Sequence, residues 1–209
     1  MLGKAVLLEC LENAEIKRVV LLNRRKLEFQ HPKIEEVIVD DYEELKSLNS
    51  HSLKVDACFH CMGTTAVGKS KEQYEYLTYT LSSILIDALH KSNPEMVVQY
   101  VSGQGTDSSE NGRVHWANVK GKTEKMILNK GFKDAYALRP GAILPMKGIK
   151  SSTRLYSFLY FILRPFFPLL KRMSSVITSA DFAKGMIYLA MHPKEQKHWE
   201  NKELKALVI

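Results

Sequence analysis

Two arginines in this 209-residue chain stand where a phosphate group could be bound. Arg24 and Arg25 come one residue after the apolar run 19–22, whose short length and β-branched start predict a buried strand. A guanidinium group presents a fork of N–H donors that matches the oxygens of a phosphate. We therefore interpret the pair as a candidate phosphate site, with two solvated arginines after a strand as the alternative.

Small and hydroxyl-bearing residues follow two further apolar runs that read as strands. Gly63, Thr64 and Thr65 follow the first of these runs. Ser102 follows the second. Backbone can approach a ligand closely at a glycine, and Thr or Ser hydroxyls can bond phosphate or ribose oxygens. Turn chemistry alone would also select these residue types, so either group by itself is a weak signal.

Lys120 is a candidate for the active centre. It lies one helical turn after Trp116 on the predicted helix 116–129, which places both side chains on one face. A lysine at this position could hold ribose hydroxyls and impose a positive potential on a neighbouring acid. The alternative is an exposed helical lysine.

Cys58 and Cys61 have the spacing of a metal or redox motif, but the strand that carries them argues against it. Residues three apart on a strand point to opposite faces, so the two sulfurs cannot close on one ion. We expect two buried structural thiols instead. The spacing of the histidines does not suggest a cluster of metal ligands either, and no metal site is predicted.

The elements that must position these residues alternate between strand and helix. Such alternation predicts an α/β fold, a doubly wound and mostly parallel Rossmann-type sheet with helices on both faces. Ligands of such sheets bind at the carboxyl ends of the strands. We expect one NAD(P)-binding Rossmann-like domain over 1–209, with 142–180 as a substrate-side lid or helical region. The predicted strands are 19–22, 37–39, 55–61, 96–101 and 135–138, and the predicted helices are 5–11, 42–48, 76–89 and 116–129.

Charge and composition exclude several classes of protein. Hydrophobic residues make up 45% and charged residues 25%, which excludes a mostly disordered or collagen-like chain. The net charge of +7 is spread over short basic pairs, so a solvated surface explains it first and a phosphate-bearing ligand second. Aromatic residues do not interleave with a basic stripe, and we expect no nucleic-acid partner.

The number of cysteines and the sequence of the first residues indicate the cellular compartment in which we expect the protein. Three cysteines cannot make a disulfide framework, which favours a reducing environment. The first residues do not form a long apolar stretch with a small-residue cleavage site, so no signal peptide is predicted. We expect a cytoplasmic protein.

The aromatic-rich segment 155–170 is an exception to the alternating pattern. A membrane span needs about 20 apolar residues without a break, and Arg164 and Pro165 interrupt this segment. We expect a lid or packing helix beside the ligand crevice. The alternative is a helix that docks on a membrane surface or a partner, since basic residues flank it.

Taken together, these residues resemble the atypical short-chain dehydrogenase/reductases, nearest to the small NADPH-binding oxidoreductases related to the HIV Tat-interacting protein. The family fold is a Rossmann sheet with strand order 3-2-1-4-5-6 or an extension of it. The matching stretches occur in family order over nearly the whole chain. They are 22–25, 39–40, 61–65, Ser102, 119–121 with Glu124, and 139–141.

The resemblance implies NADP as the cofactor. The residues that would bind it are Gly3, Arg24, Arg25, Asp40, Asp41, Gly63, Thr64, Thr65, Lys120, Pro140 and Gly141. Arg24 and Arg25 would take the 2′-phosphate, and Asp40 the adenine. Lys120 would hold the nicotinamide ribose, with Pro140 and Gly141 near the nicotinamide. Ser102 and Lys120 are the implied catalytic residues.

One departure from the family concerns proton transfer. The family dyad is Tyr-x-x-x-Lys, and Trp116 occupies the tyrosine position. An indole N–H donates a hydrogen bond but has no useful acidity, so Trp116 cannot donate the proton. Ser102 could still orient a carbonyl, and His115 is a candidate proton donor.

A second departure concerns the start of the fold. Gly3 resembles the last glycine of the family's Gly-x-x-Gly-x-x-Gly fingerprint, so the usual first strand and most of the glycine loop are absent from the N-terminus. A truncated or misassigned start, a strand donated by another chain, or a C-terminal strand formed by 206–209 would each account for this.

We therefore expect an NADP-dependent oxidoreductase for a small-molecule substrate, with weak or redirected activity because of Trp116. The alternative is a non-catalytic module that senses the cofactor or binds a partner. The sequence does not determine whether the protein forms a homo-oligomer.

Overall fold

The computed structural model describes residues 1–46, 53–149, 167–170 and 172–208, and these form strands and helices in alternation. The strands are β1 (Val19–Asn23), β2 (Ile34–Ile38), β3 (Ala57–His60), β4 (Val97–Val101), β5 (Asp134–Arg139), β6 (Ala142–Leu144), β7 (Val176–Thr178) and β8 (His198–Glu200). The helices are α1 (Leu2–Glu12), α2 (Lys71–Glu75), α3 (Leu81–Ser92), α4 (His115–Leu128), α5 (Phe167–Leu170), α6 (Ser179–Met191) and α7 (Asn201–Ala206). A 3-10 turn, Tyr42–Lys46, follows β2, and a π-helical turn, Tyr76–Thr80, joins α2 to α3.

All strand pairs in the described residues are parallel. β3, β4, β5 and β8 form one sheet in that order, while β1 pairs with β2 and β6 pairs with β7. Parallel strands need crossover connections; α2 and α3 supply the one from β3 to β4, and α4 supplies the one from β4 to β5. The predicted α/β class and parallel sheet are confirmed.

Helices cover both faces of the sheet. On one face, α1 and α6 pack against β4 and β5 around Val6, Phe182 and Met186. On the other, α3 and α4 pack around Ile86 and Ile127. This doubly wound arrangement leaves the carboxyl ends of the strands open as one edge.

The sheet is interrupted between β1 and β3, which do not pair with each other. A cavity of about 1650 Å³ lies between them, and we call it the strand slot. All five residues of β1 are only partly buried, although their apolar character is typical of an interior strand. Among the described residues, no strand lies between β1 and β3.

The C-terminal residues do not fill this slot. Residues 201–206 form α7, and Leu207 continues in helical conformation with its N–H donating to the carbonyl oxygen of Leu204. The alternative of a C-terminal strand that completes the sheet is wrong for the described residues. The capping box of Glu200 and Glu203 favours a helix start at this point.

Two further predictions need correction. The helix predicted over 76–89 begins earlier, at Lys71, and its first part is the π-helical turn, where the Ser82 hydroxyl donates to the carbonyl oxygen of Thr78 at 2.6 Å. Cys58 and Cys61 are partly exposed, because the strand slot opens beside them.

The lid segment lies mostly outside the described residues. Of the segment 155–170, only the turn α5 is described, so neither a lid nor a membrane-surface helix can be assigned to it. In the parts of the chain that are described, no helix has the length and apolar character to cross a membrane.

Candidate functional site

Residues from three strand ends line one continuous cavity at the carboxyl edge of the sheet. The strand slot opens onto this edge, and most of the residues predicted to bind the adenosine half of a cofactor border it. These are Gly3, Arg24, Asp40, Asp41, Gly63 and Thr64. Arg25 and Thr65 are exposed on the same loops but do not line the cavity.

Arg24 projects from the end of β1 toward the loop after β2. Burial raises the pKa of the Tyr42 hydroxyl, and the positive charge of Arg24 partly offsets this increase. The Tyr42 hydroxyl in turn donates to the sulfur of Met62 at 3.0 Å, so the loops after β2 and β3 touch. Arg24 is itself exposed, and its guanidinium is available to an anion at the cavity mouth.

The start of α1 lies against the end of β3. A β-carbon on Gly3 would lie 3.4 Å from the β-carbon of Cys61. A β-carbon on Gly63 would meet nothing within 4 Å, so open space stands in front of its backbone. The first N–H groups of an eleven-residue helix and an unobstructed glycine therefore share this edge, an arrangement suited to a phosphate group.

Lys120 reaches the carboxyl end of β4. Its ammonium donates to the carbonyl oxygen of Ser102 at 2.7 Å. Burial lowers the pKa of Lys120 to about 8, while the charge of Glu124 opposes that shift. The predicted catalytic pair is thus brought into contact, although the contact is through the backbone of Ser102.

The hydroxyl of Ser102 is engaged in a short relay. Ser102 Oγ lies 2.9 Å from the Thr106 hydroxyl, which donates its proton to the carbonyl oxygen of Gly103 at 2.7 Å. Since the Thr106 proton is used, Ser102 is the donor in the first bond. Ser102 is buried and would have to rotate to donate to a substrate.

A second relay lies behind Lys120 and involves His60. The Ser82 hydroxyl donates to the carbonyl oxygen of Thr78, so Nε2–H of His60 donates to Ser82 Oγ at 2.9 Å. Burial, and secondly the charge of Lys120, lower the pKa of His60 to about 4. His60 is therefore neutral near pH 7.

Trp116 and His115 do not replace the missing tyrosine hydroxyl. The Trp116 ring packs on the loop at Gly105, where a β-carbon would lie 3.6 Å from the ring. Nε2 of His115 lies 3.2 Å from the carbonyl oxygen of Lys71, on the α2 side of the helix. The structure therefore does not bring His115 to Ser102 or Lys120 as a proton donor.

Pro140 and Gly141 close the far side of the site. The backbone N–H of Gln104 donates to the carbonyl oxygen of Pro140 at 3.0 Å, which ties the loop after β4 to the loop after β5. The N–H of Gly141 donates to the side chain of Asn201 at 3.2 Å.

Sequence reasoning missed two supports of the site. Glu124, quoted only as part of a motif, makes a two-point ion pair with Arg139 at 2.5 and 3.0 Å and is 1% exposed. Gly121 allows α4 to pack directly on the backbone of the loop after β4. A glycine inside a predicted helix was the signal for the second support. Glu124 and Arg139 are 15 residues apart in the sequence, so no local pattern indicates that they pair.

No metal site is found in the described residues. No group of three or more His, Cys, Asp or Glu side chains there could hold an ion. Although Cys58 and Cys61 keep some exposed surface, burial of most of each side chain raises the pKa of both thiols to about 12, so both stay protonated.

Comparison with solved structures gives the fold a name. The chain superposes on the Bordetella bronchiseptica enzyme WbmF in complex with NAD⁺ with a TM-score of 0.65, at 15% identity over 99% of this chain and 73% of that one. The chain has a Rossmann-type fold. Against UDP-glucose 4-epimerase of Thermotoga maritima with UDP-glucose, the TM-score is 0.68 at 14% identity, over 99% and 78% of the two chains.

A monomeric L-threonine 3-dehydrogenase from a metagenome gives a TM-score of 0.67 at 14% identity, over 98% of this chain and 76% of that one. At such identities, the Rossmann likeness establishes the fold alone. No protein-family model matches the chain.

Proposed function

We propose that this Rossmann protein is an NADP(H)-binding oxidoreductase of the atypical short-chain dehydrogenase/reductase type, acting on a small carbonyl or alcohol substrate. The observation that carries the proposal is the ammonium of Lys120, held 2.7 Å from the Ser102 carbonyl oxygen at the carboxyl end of β4. Ligands of doubly wound sheets bind at this edge. The resemblance to the small Tat-interacting-protein-related reductases supports the same assignment.

The residues present at the edge fit a dinucleotide at both of its ends. Arg24, with Arg25 beside it, supplies donors for a 2′-phosphate, and Asp40 lies on the same cavity for the adenine. The helix start at Gly3 and the open backbone of Gly63 suit the pyrophosphate. Lys120 would bind the nicotinamide ribose.

A bound nicotinamide would supply or accept the hydride, and the chain must handle the proton. Lys120 is the group best placed to do so, because its pKa of about 8 leaves it largely protonated, yet able to give up a proton, near neutral pH. Tyr100 is not suited to the role, since burial raises its pKa further above that of an ordinary phenol. We assign Lys120 as the proton donor to a carbonyl oxygen, with Trp116 shaping the pocket.

A non-catalytic module that senses the cofactor is the second candidate. The observation in its favour is that the hydroxyl of Ser102 and the imidazole of His60 are both committed to internal hydrogen bonds. In this case the protein binds the cofactor without turnover, and Lys120 only holds ribose.

Titration with NADPH, followed by nicotinamide fluorescence, tests binding. Arg24→Ala with Arg25→Ala should weaken NADPH at least tenfold more than NADH, because only NADPH carries the 2′-phosphate. The matched control removes two exposed lysines outside the cavity, Lys184 and Lys202, and should leave both affinities unchanged. Absence of binding, or equal losses for the two cofactors, would refute the assignment.

A screen of aldehydes and ketones for NADPH oxidation separates the two candidates. Turnover that is lost in Lys120→Met supports the enzyme. Cofactor binding without turnover of any compound supports the sensor.

A further inference from the structure

We propose that Lys120 is also a nucleophile, whose unprotonated amine captures small aldehydes at the carboxyl edge of the sheet as a Schiff base. This inference goes beyond the proposed oxidoreductase function, because no cofactor takes part and the amine, rather than the ammonium, is the reacting form. Lysines in surroundings that disfavour the ammonium are the ones that proteins use for this chemistry.

The reaction joins the lysine nitrogen to the carbonyl carbon and releases water. The lone pair of the amine attacks the carbonyl carbon, and the carbonyl oxygen takes up a proton to give a carbinolamine. The two hydrogens of the amine leave with that oxygen as one molecule of water, and a C=N double bond remains. No oxidant or reductant is required, and hydrolysis reverses the reaction.

The hydrogen bond that anchors Lys120 is compatible with the unprotonated form. The lysine nitrogen donates to the carbonyl oxygen of Ser102 at 2.7 Å. A neutral carbonyl accepts a hydrogen bond from an amine as well as from an ammonium, whereas a carboxylate in its place would favour the charged form. The anchored amine therefore keeps its lone pair for an incoming carbonyl carbon.

The groups around the Lys120 nitrogen offer little charge to stabilise the ammonium. On β4, the centre of the Tyr100 ring lies 5.8 Å away, at the limit of a cation–π contact. On β3, the buried imidazole of His60 is neutral near pH 7. On α4, the charge of Glu124 favours the ammonium, but both of its oxygens are bonded to Arg139. Burial therefore prevails and lowers the pKa of Lys120 to about 8.

Space for a small carbonyl compound lies beside the lysine nitrogen. A β-carbon on Gly103 would lie 3.8 Å from this nitrogen and, within the described parts of the chain, would meet only atoms of Lys120 within 4 Å. Lys120 itself is partly exposed. The absence of a side chain at Gly103 thus leaves one flank of the amine open, which suits an unhindered aldehyde.

Lys122, two residues along α4, provides an internal comparison. Its ammonium forms an ion pair with Glu75 at 2.7 Å and lies 4.2 Å from the centre of the Tyr79 ring. The hydrogen bond to Glu75 raises the pKa of Lys122, so far less of this lysine is unprotonated at pH 7. Exposure does not favour Lys120, because it is only partly exposed, whereas 41% of the Lys122 side chain is exposed.

Reductive trapping of the whole chain with propanal and sodium cyanoborohydride tests the proposal. The borohydride reduces the Schiff base, so each lysine that captures the aldehyde gains a propyl group, which peptide mass spectrometry locates. At pH 7 the unprotonated fraction of Lys120 is on the order of 10²-fold larger than that of an ordinary lysine. Its lower basicity offsets part of this gain. We therefore expect Lys120 to be labelled at least about tenfold faster than Lys122.

The pH dependence of labelling separates the effect of acidity from that of exposure. The ratio of the Lys120 rate to the Lys122 rate should be constant below about pH 8 and fall above it, because Lys120 is then unprotonated while Lys122 still gains amine. In protein unfolded by urea, the two lysines should be labelled at equal rates. Equal labelling in the folded protein, no label on Lys120, or a ratio that stays constant above pH 8 would overturn the proposal.

The labelling experiment uses neither NADPH nor turnover. A protein that fails to bind NADPH can still capture the aldehyde, and a reductase in which Lys120 acts only as an acid does not. The outcomes for aldehyde capture and for the oxidoreductase assignment are therefore separate.

Discussion

A β-carbon on Gly121 would lie 1.8 Å from the carbonyl oxygen of Asp107, so α4 and the loop after β4 pack with no room for a side chain. The loop is held to the helix by the N–H of Asp107, which donates to the carbonyl oxygen of Ala117 at 3.2 Å. This contact fixes the loop beside Lys120. The close approach of backbone to backbone explains why a glycine, with its helix-weakening cost, stands directly after the site lysine.

Gly121→Ala should therefore be severely destabilising. The new methyl group overlaps main-chain atoms, which cannot move aside as a flexible side chain can, and we expect a loss of about 3 kcal/mol or more in the free energy of unfolding. Urea denaturation measures this loss. Gly63→Ala is the control, because its β-carbon would meet nothing within 4 Å and should change stability by less than about 0.5 kcal/mol. Equal stabilities for the two variants would contradict the contact.

The features that sequence could predict are those carried by short-range patterns. β4 and the helices α3 and α4 follow from apolar runs and from three- and four-residue spacing, and the carboxyl ends of the parallel strands locate the candidate site.

The features that sequence could not predict depend on contacts between distant segments. β6, β7 and β8 have three residues each, too few for a period to show. The partial exposure of Cys58 comes from an empty neighbouring slot, which no local pattern encodes. The commitment of the Ser102 hydroxyl to Thr106 is likewise a property of the folded loop.

The ion pair between Glu124 and Arg139 ties α4 to the end of β5, and breaking it from one side should be costly. Glu124→Gln keeps the shape of the side chain but leaves the partly buried guanidinium of Arg139 without its counter-charge, which we expect to cost about 3 kcal/mol. Thermal and urea unfolding measure the change. The double variant Glu124→Leu with Arg139→Met removes both charges and should recover most of the loss. A double variant as unstable as the single one would show that the charges themselves stabilise the fold.

The proposed acid role of Lys120 predicts a particular pH dependence of carbonyl reduction. The protonated ammonium is the active form, so kcat/KM should be constant below pH 8 and fall about tenfold per pH unit above it. Lys120→Arg keeps a positive charge but does not release a proton in this range. We expect it to lose about 10²–10³ in kcat and to lose the alkaline decline as well. Initial rates of NADPH oxidation from pH 6 to 10 measure both effects. A wild-type rate and profile in Lys120→Arg would remove Lys120 from the acid role.

The buried imidazole of His60 predicts loss of stability in mild acid. Its pKa is about 4 in the fold against 6.5 ordinarily, because burial and the charge of Lys120 disfavour the imidazolium. The unfolded chain therefore takes up a proton first as the pH falls. The contribution of His60 is complete above pH 6.5 and is lost as the pH falls to about 4, a change of about 3 kcal/mol.

Comparison of wild type with His60→Phe by urea unfolding between pH 4 and pH 7 isolates this contribution from that of the carboxylates. The difference in stability between the two proteins should shrink or reverse as the pH falls, since phenylalanine takes up no proton. His192→Ala removes an exposed histidine and should keep the wild-type pH dependence. An imidazole that titrates near 6.5 by NMR in the folded protein would mean that His60 contacts solvent, and the relay from His60 through Ser82 to the Thr78 carbonyl would then be absent.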